Sequence, residues 1–131
     1  MYNYTALVTL GSVIFYGFLG FRVGQARHQF AVKAPAITGH PVFERWFRAQ
    51  MNTLEWLPIY LCGLWLFAIY VSDIGAAALG LVWIAGRAIY ARAYVTDPAS
   101  RTTGFMVQIS ATAVLCLGAI GAILFRIVLG H

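Results

Sequence analysis

Four apolar runs follow one another along the chain, at residues 4–26, 44–71, 74–95 and 104–129. A helix needs roughly 20 residues to cross the hydrocarbon core of a bilayer. Lipid satisfies no backbone hydrogen bond, so each run must be a helix or a strand of a closed barrel. The strict alternation of a barrel strand is absent, and Leu, Ala, Ile and Phe run consecutively. The runs therefore predict an all-α, integral membrane protein. Its expected architecture is a left-handed four-helix transmembrane bundle, one domain over residues 1–131.

Composition supports the same solvent. Residues of the apolar set make up 61% of the 131 residues and charged residues 10%, against about 45–50% and about 25% in soluble domains. The mean hydropathy is +0.77. A soluble chain of this size cannot hide so much apolar surface. That excludes an ordinary cytosolic enzyme, a disordered chain and, despite a pI near 9.6, a nucleic-acid-binding domain. The two cysteines, Cys62 and Cys116, lie inside apolar runs with no CxxC spacing. No disulfide scaffold is expected, and no metal site. The first run lacks a basic residue before it and is longer than a secretory core, so it reads as a retained helix.

The connections are short. The stretch from Ala31 to Val42 holds Pro35, Gly39 and Pro41, which suit irregular backbone. Ser72-Asp73 joins the second and third helices as a tight hairpin. Asp97-Pro98 ends the third, because a residue before proline avoids the helical region. Eight of the nine basic residues bracket the first and third connections. The positive-inside rule makes those loops cytoplasmic and both termini extracytoplasmic. Gly20 and Gly24 form a GxxxG, and Gly118 and Ala122 a small-xxx-small pair, which allow close helix approach.

The second helix carries the most informative polar pattern. Arg48, Asn52 and Glu55 fall within a stripe roughly 60° wide at 3.6 residues per turn. Charge at the depth of Glu55 costs about 2.5–3.5 kcal/mol on insertion scales. It should therefore face protein or a wet cavity and have a partner, such as Arg48 or a basic residue on another helix. Arg87, Tyr90 and Tyr94 make one face of the third helix, with Arg101 just beyond. Arg27 ends the first helix at the same level. One end of the bundle thus gathers Arg27, Arg48, Asn52, Glu55, Arg87, Tyr90, Tyr94 and Arg101. Several guanidiniums suit carboxylates or phosphates. Asn52 and Gln50 can read an amide, and Glu55 suits a cation such as an α-amino group. A small zwitterionic peptide with excess negative charge fits this set better than a nucleotide, for which no Gly-rich loop exists. Arg22, Arg92 and Tyr60 can also be read as interface anchors.

At these residues the chain resembles the membrane-associated proteins of eicosanoid and glutathione metabolism, the MAPEG family, in its microsomal glutathione transferase and leukotriene-synthase branch. The stretch PVFERWFRAQMNTLEWLP, Pro41 to Pro58, is similar to the family signature, with ARHQFAV before it and GRAIYARAY after it. The resemblance runs from about Arg22 to Arg101. It implies a homotrimer with glutathione bound between neighbouring protomers near the cytoplasmic face. It further implies that Arg27, Arg48, Gln50, Asn52, Glu55, Tyr90 and Tyr94 contact glutathione, and that Arg101 is catalytic and stabilises the thiolate. Glutathione is then a co-substrate, and the other partner is a hydrophobic electrophile or a lipid hydroperoxide met in the bilayer.

Two positions depart from the leukotriene synthases. Trp56 replaces a tyrosine, and His28 replaces an arginine beside the Arg27 position. These changes favour a broad detoxifying transferase, with peroxidase activity as an accompaniment, over a dedicated leukotriene synthase. Lowering a thiol pKa by about two units takes roughly 2.7 kcal/mol of preferential thiolate stabilisation. One guanidinium in a water-poor site is suited to that. Two other classes compete: a non-catalytic fatty-acid-binding scaffold, which needs no intact glutathione set, and a small transporter using Glu55 as an ion relay.

Overall fold

The computed structural model describes residues 1–130; His131, the last residue of the expected domain, lies outside them. Four long helices form: α1 (Asn3–Gln29), α2 (Pro41–Tyr70), α3 (Asp73–Thr96) and α4 (Thr102–Leu129), with a 3-10 turn at Pro98–Ser100 before α4. All four are long and apolar enough to cross a membrane. The α2–α3 hairpin is the centre, with α1 packed against both of its helices and α4 likewise.

Helix ends follow side-chain chemistry. The expected start of α2 was Glu44, with Pro41 in the loop. Instead Pro41 occupies the first turn, where its missing N–H costs nothing. His40 Nδ1 accepts from the Val42 N–H at 3.1 Å and caps the helix. Ser72 Oγ accepts from Gly75 N at 3.0 Å at the head of α3. Asp97 accepts from Ala99 N at 3.2 Å and turns the chain after α3. α1 borrows its cap from across the bundle: Asp73 accepts from Thr5 N at 2.9 Å, Thr5 Oγ1 at 2.7 Å and Tyr4 N at 3.3 Å. Negative charge at a helix N-terminus is favoured by its free N–H groups and dipole.

The outside is apolar and part of the inside is polar. Ile14 is 70% exposed, Leu117 66% and Ile127 69%; an aqueous surface would not tolerate such a belt. Buried within lie Thr5, Ser12, Thr53, Arg87, Gln108 and Thr112. The core centres on Tyr60 and Trp83, stacked with centroids 3.9 Å apart, and Ser12 Oγ lies 2.8 Å from the Tyr60 hydroxyl. The closest helix crossing is α3 on α4. A Cβ on Gly86 would sit 2.8 Å from Gln108 N, and one on Gly104 would collide with the Tyr90 backbone. The Gly20/Gly24 pair does not play this part within the protomer. A Cβ on Gly24 meets nothing within 4 Å, and Gly20 receives only the end of the Gln50 side chain.

Candidate functional site

The signature residues of α2 divide between two faces. Arg48 and Glu55 are exposed on the protomer, and Asn52 beside them is half-buried. The Asn52 Oδ1 atom is buried with no partner. Gln50 lies about 160° around the helix from Arg48. It packs on α1, where a Cβ on Gly20 would stand 3.0 Å from its Nε2. Pro58, one turn beyond Glu55, has no N–H to give to the Leu54 carbonyl. Glu55 has no ion pair among the described residues. Neither Arg48, about two turns away on the same stripe, nor a basic residue of another helix pairs with it within the protomer among the described residues.

Next to this stripe, α3 and the turn after it build a column of rings and guanidiniums. The Tyr90 and Tyr94 rings stack at 5.7 Å. The Arg87 guanidinium lies 4.2 Å from the Tyr90 ring, and that of Arg101 5.9 Å from the Tyr94 ring. Phe105 of α4 meets Tyr90 at 6.2 Å and Trp56 edge-on at 5.8 Å, walling the column. Trp56, next to Glu55, and Thr53, which bonds Arg87, tie the α2 stripe to this column. Arg101 is exposed and spends one N–H on the Pro98 carbonyl at 2.7 Å, leaving its other donors free. Arg48, Asn52, Glu55, Tyr90, Tyr94 and Arg101 thus share one region of the protomer.

Arg27 and Gln50 do not join them. Arg27 lies over the Phe43 ring at 4.7 Å and donates to the Ala36 carbonyl at 2.7 Å, tying down the first loop. Glu44 and Arg45, which flank the stripe in sequence, also hold backbone. Glu44 accepts from Gly39 N at 3.1 Å, and Arg45 donates to the Val95 carbonyl at 3.2 Å.

Arg87 corrects the sequence reading most. Its spacing from Tyr90 and Tyr94 groups it with the polar residues at one end of the bundle, yet it is 0% exposed in the core. Its Nη2 donates to Thr53 Oγ1 at 2.7 Å, while Nε and Nη1 have no partner. Neither Thr53 nor Gln108 belongs to a polar stripe in the sequence. The only available signal for Gln108 was a single amide in an apolar run. It is wholly buried, and both its polar atoms lack a partner. No group of three or more His, Cys, Asp or Glu side chains is placed to hold a metal among the described residues.

Comparison with known proteins agrees with the motif. An uncharacterized protein of Synechocystis is 43% identical over 122 residues, covering 93% of this chain and 89% of its own. Microsomal glutathione S-transferase 2 of Homo sapiens is 40% identical over 117 residues, 88% of this chain and 80% of its own. Leukotriene C4 synthase of Bos taurus is 38% identical over 96 residues, 73% of this chain and 64% of its own. The profile of the MAPEG family matches residues 5–121, and with the polar stripe on α2 and the tyrosine column on α3 in place, the chain belongs to that family.

Proposed function

We propose that this protein is a membrane glutathione transferase that joins glutathione to lipophilic electrophiles, with each site shared between two copies of the chain. The observation that carries the reading is the division of the donor set. Arg48, Asn52, Glu55, Tyr94 and Arg101 reach the surface on one side around the buried Tyr90, while Arg27 and Gln50 sit apart from them with α1. A second copy covering the exposed stripe supplies the latter pair. It also removes Arg48 and Glu55 from lipid, where exposed charge is costly. A closed ring of three copies satisfies every such face at once. The charge pattern favours the first and third loops on the cytoplasmic side.

The donor set fits glutathione by its chemistry. Arg48, with Arg27 of the neighbouring copy, matches the two carboxylates. Glu55 matches the α-amino group, and Asn52, whose buried Oδ1 lacks a partner, matches a peptide N–H. Glutathione supplies the nucleophilic thiol. Arg101 favours the thiolate over the thiol, and the tyrosine hydroxyls orient it. An apolar cavity of about 630 Å3 between α3 and α4 begins at Thr102 and Thr103, next to Arg101, and continues past Met106 to Val114. It suits the tail of an electrophile arriving from the bilayer. The names of the relatives, a glutathione S-transferase and a leukotriene synthase, support the reaction class. Trp56 and His28 favour a broad electrophile range.

The test is glutathione-dependent turnover of an apolar aryl halide by purified protein in detergent, beside Arg101→Ala. The wild type should turn over, and the variant should bind glutathione while forming little thiolate. Wild-type protein that folds but binds no glutathione overturns the proposal and favours a lipid-binding scaffold.

A further inference from the structure

A cavity of about 400 Å3 opens between α1 and α3 at the basic end of the bundle. Phe15 and Phe18 of α1 and Ala88 and Val95 of α3 give it apolar walls. Arg22 and Arg92 are its charged groups, and no acidic residue lines it. The Arg22 guanidinium rests 4.5 Å from the Trp46 ring, which fixes one side of the mouth.

The chain has only four acidic residues, and none neutralises this pair. Glu44 accepts from Gly39 N, Asp73 caps α1 and Asp97 accepts from Ala99 N. Glu55 lies about 180° around α2 from Trp46. On α2 and α3 the cavity also faces away from the exposed stripe and the tyrosine column. Trp46 is about 160° from Arg48 on α2, and Arg92 is about 160° from both Tyr90 and Tyr94 on α3. On α1, Arg22 and Phe18 lie about 140° and about 180° around the helix from Arg27, the residue that a neighbouring copy's stripe would meet.

We infer that the cavity binds an anionic phospholipid, with an acyl chain between Phe18 and Ala88 and the head-group phosphate at Arg22 and Arg92. Guanidiniums grip phosphate oxygens in a bidentate fork. Basic pockets between transmembrane helices are suited to acidic head groups. A single arginine at a helix end anchors to any head group. Two that line one apolar cleft, with no carboxylate among them, select for chain and charge together. The inference is independent of glutathione: it would survive the failure of the transferase reading.

The test uses the full-length protein in detergent and native mass spectrometry. Dioleoyl phosphatidylglycerol is titrated against dioleoyl phosphatidylcholine, so only the head group differs. Phosphatidylglycerol should bind about ten-fold more tightly. Arg22→Gln with Arg92→Gln should bring it down to the phosphatidylcholine level. Ala88→Phe keeps both charges but fills the cleft, and should abolish the preference as well; it carries the test if the double variant fails to fold. Equal binding of the two lipids by the wild type overturns the site. A preference that survives either variant also overturns it, since surface attraction would then be enough. Dissociation of an oligomer by Ala88→Phe would make the cleft a contact between copies and likewise end the lipid assignment.

Discussion

Arg87 shows how burial converts a sequence signal into a different residue role. Its spacing from Tyr90 and Tyr94 gave the correct helix face, and the stacked column confirms that they share it. Periodicity gives an angle and not what covers it, so the burial of Arg87 is not legible in its spacing. A buried guanidinium with one hydroxyl partner is a stability cost, and apolar replacement of such charges is often neutral or stabilising. Thr53 keeps its own bond to the Ala49 carbonyl at 2.8 Å without Arg87. Arg87→Met should therefore leave the unfolding midpoint in detergent unchanged or raised. It should also lower glutathione turnover at least about ten-fold, because Tyr90 loses the cation beneath its ring. A lower midpoint with normal turnover would make Arg87 a structural pin instead. Glu55 makes the complementary case. Glu55→Gln should weaken glutathione binding by about ten-fold or more, since a charge-assisted partner of the α-amino group contributes roughly 1.5–3 kcal/mol. Calorimetric titration reads this, and unaltered affinity would assign Glu55 to an arginine of a neighbouring copy.

At the level of elements, the four helices are legible because lipid permits only helices or a closed barrel, and the runs lack the alternation of barrel strands. Their contacts are less so. The GxxxG of α1 is a recognisable pattern, yet within the protomer it makes no helix crossing. The crossing that matters joins Gly86 to Gly104 across two helices, a pairing that no single-helix motif encodes. Gly104→Ala should lower stability by about 2 kcal/mol or more, as overpacking against backbone has no flexible side chain to give way. Gly121→Ala, where a Cβ meets nothing within 4 Å, should be neutral or slightly stabilising through helix propensity. Thermal unfolding of the two variants side by side checks the contrast. The start of α2 was misplaced for a related reason: Pro41 reads as a loop residue until His40 is seen to cap the helix. Asp73 is a third case, a cap supplied to α1 from 68 residues away. Asp73→Ala should lower the thermal unfolding midpoint in detergent, and Asp73→Asn, which keeps an accepting oxygen, should recover part of the loss.

For the whole molecule, the open question is how a site whose residues face two ways comes together. Arg101 with the α2 stripe faces one way, and Arg27 and Gln50 sit with α1. Within one chain the two groups do not meet, so the shared-site proposal has a distinctive genetic consequence. A chain carrying Arg27→Ala still offers Arg101, and a chain carrying Arg101→Ala still offers Arg27. Each variant alone should be nearly inactive, because every site in its oligomer lacks one residue. Co-expressed in equal amounts, the two should form mixed rings in which one junction joins the intact half of each. For random assembly of a heterologous three-membered ring, about one site in four would then be fully wild type. Glutathione turnover should recover to roughly that fraction of the wild-type rate. Recovery would also show that the Arg27 variant folds, despite the loss of its bond to the Ala36 carbonyl. If both residues served the same site from one chain, no mixing would restore either, and the co-expressed protein would stay as inactive as its parents.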